Sequence, residues 1–124
     1  MTSDLYRELV LDHWRKPRYA AALTQPTHVG AVVNEACGDS ARVELTVHDE
    51  TVGDLSVQVS GCALATAAGS VLAERIVGRS IDEVRLIDEA AMLELLGGID
   101  PSASRRRCVT LALEALQEAV ASSK

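Results

Sequence analysis

The sequence predicts an α+β fold, a three-stranded antiparallel sheet with helices packed on one face of a single domain spanning residues 1–124. Three observations carry this. Apolar residues recur at helical spacing at both ends of the chain and at a period of two in the middle. The second and third period-two segments are joined by a short polar, Gly-containing connection suited to a hairpin. The chain has 124 residues, 48% of them hydrophobic, enough for one core without disulfides.

Residues 4–16 place Leu5, Leu9, Val10 and Trp14 near helical spacing, with Ser3 as a candidate N-cap and Pro17 as the stop. Between Pro17 and Pro26 periodic signals fade, and the segment reads as a loop returning the chain to the body of the domain. Val29, Ala31 and Val33, then Val43, Leu45 and Val47, then Leu55, Val57 and Val59 alternate with other residues and predict three strands. The connection from Asp49 to Asp54 makes the second and third antiparallel, with one face of the sheet buried.

From Cys62 to Val77 the residues Leu64, Ala68, Val71, Leu72 and Ile76 restore helical spacing, and Gly78 supplies a stop. Ser80 to Glu83 has the spacing of a capping box, and Asp88 can cap a further short helix through Met92 and Leu96 that Gly97-Gly98 ends. A last helix runs from about Ser104 to Ala121, with Cys108, Leu111, Ala112, Ala115, Leu116 and Val120 as one stripe. There is no Phe, and the only aromatics are Tyr6, Trp14 and Tyr19, so aliphatic residues must fill the core.

The net charge of −6 argues against nucleic acid as a partner, since such domains are usually basic. No run of eighteen apolar residues occurs, and Met1-Thr2-Ser3-Asp4 lacks the features of a signal peptide, so the expectation is a cytoplasmic protein without membrane partners. Three cysteines in a reducing compartment point to metal binding, catalysis or burial instead of a disulfide framework.

Each cysteine has a structural and a chemical reading. Cys37-Gly38-Asp39 lies between the first two strands, where Gly38 can take a conformation closed to other residues while a thiolate and a carboxylate converge; the structural alternative is a tight turn with an Asx interaction. Cys62 follows Ser60-Gly61 at a strand-to-helix junction, where unpaired N–H groups and the helix dipole favour an anion; the alternative is a buried Cys in an Ala-rich helix. Cys108 follows Arg105-Arg106-Arg107, which favours thiolate, yet it also falls on the apolar stripe. With 24 residues between Cys37 and Cys62 and 45 between Cys62 and Cys108, zinc-finger knuckles are excluded and any shared site needs tertiary folding. His13, His28 and His48 are scattered and read as structural or surface residues. No Gly-rich phosphate loop, GxSxG elbow or HExxH motif occurs.

Taken together, these segments resemble the iron–sulfur assembly family that includes IscU, SufU and the N-terminal domain of NifU. Leu5-Tyr6-Arg7-Glu8 through Leu11-Asp12-His13 and Pro17-Arg18 is similar to the family's first helix, and Asn34 through Cys37-Gly38-Asp39 to its NPxCGD turn. Gly61-Cys62-Ala63 is similar to the start of its second cysteine helix, and Arg105 through Cys108 with Leu111 and Ala115-Leu116 to its last helix. The resemblance implies that Cys37, Asp39, Cys62 and Cys108 surround one site holding zinc, iron or a transient Fe–S cluster. It also implies a cysteine desulfurase and recipient apo iron–sulfur proteins as partners.

Arg107 before Cys108, Leu5-Tyr6-Arg7 at the start, and the absence of a Pro-Pro-Val-Lys stretch near Asp100-Pro101-Ser102 resemble SufU-type members, which accept sulfur at a zinc site. On that likeness Cys37 is the expected sulfur acceptor, with at most sulfurtransferase activity alongside a desulfurase. The alternative is an IscU-type scaffold on which the cluster is built and then transferred, with Cys108 as acceptor. The chain departs from the SufU type in lacking its insertion between the second and third cysteines, and Glu35 stands where the motif has Pro. A structural zinc domain and a cysteine-nucleophile enzyme are the remaining readings; the latter needs a His close to a cysteine.

Overall fold

The computed structural model describes residues 2–34, 38–97 and 103–121. Its elements in chain order are α1 (Thr2–Arg15), β1 (His28–Asn34), β2 (Asp39–His48), β3 (Thr51–Ser60), α2 (Ala63–Ile76), α3 (Ile81–Arg85), α4 (Glu89–Leu95) and α5 (Ala103–Ala121). The strands form one antiparallel sheet in the order β1-β2-β3, as the alternating pattern predicts. Helix α1 starts at Thr2, so Ser3 lies inside it and is not its N-cap.

The hairpin between β2 and β3 is tighter than the polar run suggests. Its central residues are Asp49 and Glu50, both with positive φ (51° and 65°), the arrangement whose twist matches a two-residue hairpin. Pairing resumes at His48↔Thr51, and Gly53 is the extra residue where the register steps from Val47↔Val52 to Thr46↔Asp54. The polar stretch therefore belongs mostly to a strand.

Ala41, Val43, Leu45, Leu55 and Val57 point to one face, where α2 and α5 cover them. The largest fully buried side chains are aliphatic or Met: Leu45, Leu72, Ile76, Met92, Leu96, Leu111 and Leu116 among them. Trp14 and Tyr19 are exposed. An aliphatic core of this kind allows close helix approach. A Cβ on Gly30 of β1 would run into the Ala115 carbonyl oxygen and the Ala119 nitrogen, so α5 lies with its backbone directly on the strand. A Cβ on Gly69 of α2 would fall 2.8 Å from Val59 Cγ2 and 3.1 Å from Val57 Cγ1, so α2 rests on β3 by the same device.

The segment between α1 and β1 does more than return the chain. Val57 N–H donates to the Tyr19 carbonyl (2.7 Å) along the free edge of β3, and Leu23 N–H donates to Glu44 Oε1 (2.8 Å) on the sheet face away from the helices. Thr27 N–H donates to the Leu45 carbonyl (2.8 Å) beside β1. The segment thus crosses the second face and buries Glu44 (4% exposed) and Ser56 (0%). Beyond α2, Val52 N–H donates to the Arg79 carbonyl and Gly78 N–H to the Val52 carbonyl, which covers the beginning of the β3 edge.

The predicted caps of the two short helices are present: Ser80 and Glu83 form the capping box of α3, and Asp88 accepts from Ala91 N–H at the start of α4. Gly97 (φ +90°) follows α4, and Gly98 lies outside the described residues. Among the described residues, no helix is long and apolar enough to cross a membrane.

Candidate metal and sulfur site

Asn34 pairs with Asp39, and Gly38 N–H donates to the Asn34 carbonyl (2.8 Å), closing the β1–β2 connection. Gly38 has φ +72°, with open space where a Cβ would be, so its backbone conformation and not crowding calls for glycine. Cys37, Glu35 and Ala36 lie outside the described residues.

Asp39 opens β2. Because Ser40 pairs with Ser60, Asp39 comes opposite Gly61, one residue past the end of β3. A Cβ on Gly61 would be 3.1 Å from Asp39 Cγ and 3.3 Å from each carboxylate oxygen, so the carboxyl group lies flat against the backbone immediately before Cys62. The sheet register thereby places a carboxylate next to the second cysteine.

Cys62 is the N-cap residue of α2, with extended backbone (φ −72°, ψ 171°) and no side-chain cap hydrogen bond. Its carbonyl already accepts the first helical bond, from Thr66 N–H (3.0 Å). Sulfur is a weak acceptor, and the first turn of α2 holds no acidic residue, so the positive end of this 14-residue helix is not offset by its own sequence. Cys62 is exposed, which removes the reading of it as a buried core residue.

Cys108 stands in the second turn of α5, half-buried against the core, and carries no disulfide. It lies one turn before Ala112, whose Cβ would be 3.6 Å from a Cβ on Gly69, so this part of α5 packs on α2. Of the arginines before it, Arg106 donates to Glu89 Oε2 (2.6 Å) and ties α5 to α4, while Arg107 is exposed. One of the three expected cations is therefore committed to an ion pair.

Among the described residues, no group of three or more His, Cys, Asp or Glu side chains stands close enough to hold a metal ion. What the structure brings together is Asp39 and the Gly61-Cys62 junction, at the end of the sheet that the Cys37 turn joins. The histidines are engaged elsewhere or at the surface. His13 is 4% exposed between α1 and α2 with Nδ1 2.7 Å from Ser70 Oγ, His28 Nδ1 is 2.8 Å from Thr27 Oγ1, and His48 is exposed. Sequence reasoning missed the part played by Gly61, whose signal is a glycine between strand end and cysteine, readable only once the register is known.

The chain matches the family described as NifU-like N terminal domain over residues 5–124. It is 34% identical over 116 residues to iron-sulfur cluster assembly scaffold protein IscU 1 of Archaeoglobus fulgidus, covering 94% of this chain and 74% of that one. It is 26% identical over 133 residues to zinc-dependent sulfurtransferase SufU of Bacillus subtilis, where 94% of this chain and 90% of the relative are covered. The fold is that of a NifU-like N-terminal protein from Brucella abortus, with a TM-score of 0.82 over 95% of this chain and 93% of that one at 23% identity. With its three-stranded sheet, a cysteine at the start of α2 and a family match running over nearly its whole length, the chain belongs to the NifU-like N-terminal domain family.

Proposed function

We propose that this protein serves iron–sulfur cluster assembly, holding zinc, iron or a nascent cluster at Cys37, Asp39, Cys62 and Cys108 and accepting sulfur from a cysteine desulfurase for use by recipient apo proteins. The observation that carries the reading is the Asp39 carboxylate lying against Gly61, directly before the exposed Cys62 at a helix N-terminus. Three thiolates and one carboxylate suit tetrahedral zinc or iron, and the hard carboxylate is the donor most easily exchanged for an incoming sulfur. A purely structural zinc site would ordinarily use only Cys and His, which disfavours that alternative. Because the site works through thiolates, it belongs in a reducing compartment, in keeping with the cytoplasm.

In the SufU-type reading, Cys37 is the acceptor. Its thiolate attacks the outer sulfur of a persulfide on the desulfurase, the sulfur–sulfur bond breaks, and the desulfurase cysteine leaves as thiolate. The glycine turn beside Cys37 supports this choice, since Cys62 and Cys108 are fixed in or at helices. The IscU-type scaffold is favoured by a separate observation, the 34% identity to the Archaeoglobus fulgidus scaffold protein. Mass spectrometry after brief incubation with a cysteine desulfurase and cysteine separates the two. Persulfide on Cys37 is expected; persulfide confined to Cys108 assigns the scaffold type, and persulfide on neither rejects sulfur acceptance.

A further inference from the structure

Gly61 links β3 to Cys62, and its backbone does not require glycine, because it lies outside the left-handed region that Gly38, Gly78 and Gly97 occupy. What distinguishes the position is its neighbour. The three terminal atoms of the Asp39 side chain are nearly equidistant from the place where a Cβ would be, at 3.1, 3.3 and 3.3 Å. Contacts of that length force the neighbour to give by a few tenths of an ångström. Alanine would thus move the carboxylate while leaving the chain path available.

We infer that Gly61 is a positioning residue: its bare Cα is the seat on which the Asp39 carboxylate rests, and it sets how that carboxylate meets an ion held by the neighbouring thiolates. The inference rests on the ligand set proposed above. Metal–oxygen bonds tolerate only about 0.2 Å of error, so a displacement of a few tenths of an ångström weakens or reorients the one exchangeable donor without touching a thiolate. Groups that hold a ligand in place affect metal binding by about 10-fold or more when altered, even without contacting the metal.

The test uses Co(II) as a spectroscopic probe in the full chain, comparing the parent with Gly61→Ala, Asp39→Ala and the double variant, and following zinc release to a chelator in parallel. Gly61→Ala is expected to shift the d–d bands towards those of Asp39→Ala, leave the thiolate-to-metal charge-transfer intensity unchanged, and move the zinc release rate in the same direction as Asp39→Ala. Adding Gly61→Ala to Asp39→Ala should change nothing further, since the smaller residue at 39 leaves room for the methyl group. Gly61→Ser, with its Cβ in the same place, should reproduce the shift. Parent-like bands in Gly61→Ala, or an equal shift with and without the Asp39 carboxylate, overturns the positioning role. If Asp39→Ala itself leaves the Co(II) spectrum unaltered, the ligand assignment fails, and the positioning role with it.

Discussion

Asp39 is the one hard donor in the proposed set, and its value lies in leaving. Replacing it by alanine leaves three thiolates, which hold iron or zinc as softer and more covalent ligands. The expected phenotype of Asp39→Ala is a reconstituted cluster that persists longer and transfers more slowly, followed by the decay of its visible absorbance in the presence of an apo acceptor. Faster loss than in the parent would count against the role. A second residue with a readable signature is His13. Ser70 Oγ accepts from Arg18 N–H (2.8 Å) and lies 2.7 Å from His13 Nδ1, while His13 Nε2 faces Glu74 Oε1 at 3.5 Å. Burial, aided by the Arg18 charge and opposed by Glu74 and Asp12, holds the His13 pKa below its ordinary 6.5. The unfolded chain therefore binds this proton more readily than the folded one, so the stability tied to neutral His13 is complete above about 6.5 and declines as the pH falls towards the lower folded value. Urea midpoints between pH 7.5 and 5.5 should fall for the parent, and the His13→Gln variant should lose that slope whatever its absolute stability.

Among the elements, β1 and α5 meet strand backbone against helix backbone at Gly30. Since Gly30 meets the α5 backbone and not flexible side chains, Gly30→Ala must push the helix outward, at a cost of about 3 kcal/mol, the upper part of the range for overpacked cores. Denaturant unfolding measures it directly. The Asp49-Glu50 hairpin works in the opposite sense. Glu50 holds φ 65° with an exposed side chain, a conformation that costs a residue with a Cβ about 1–2 kcal/mol. Glu50→Gly should stabilise the protein by about 1 kcal/mol, with the Ile81 N–H bond to the residue 50 carbonyl kept. No change, or a loss, in the urea midpoint would contradict this reading of the turn.

At the scale of the molecule, periodicity was enough to predict the order of elements, because sheet and helices each bury one regular face. The ends of elements were less legible. Thr51 to Asp54 looks like a loop by composition and is a strand, since Asp49 and Glu50 alone make the turn and Gly53 is absorbed as a bulge. The strap from Pro17 to Thr27 left no periodic trace because its main chain makes the bonds, to Val57, Glu44 and Leu45. At the candidate site, the placement of Cys62 at a helix start and the backbone of Gly38 follow from local chemistry. The contact between Asp39 and Gly61 depends on strand register along the whole β2–β3 hairpin and through its bulge, which no local pattern encodes.

The proposed function requires one ion shared by residues from the β1–β2 connection, the start of α2 and the second turn of α5. Metal analysis of protein purified without added metal, compared with the Cys37→Ser, Cys62→Ser and Cys108→Ser variants, tests it most directly. The expected result is about one zinc or iron per chain in the parent and a sharp loss in each variant, with thiol counts rising when a chelator strips the metal. Stoichiometric zinc retained by all three variants would contradict it.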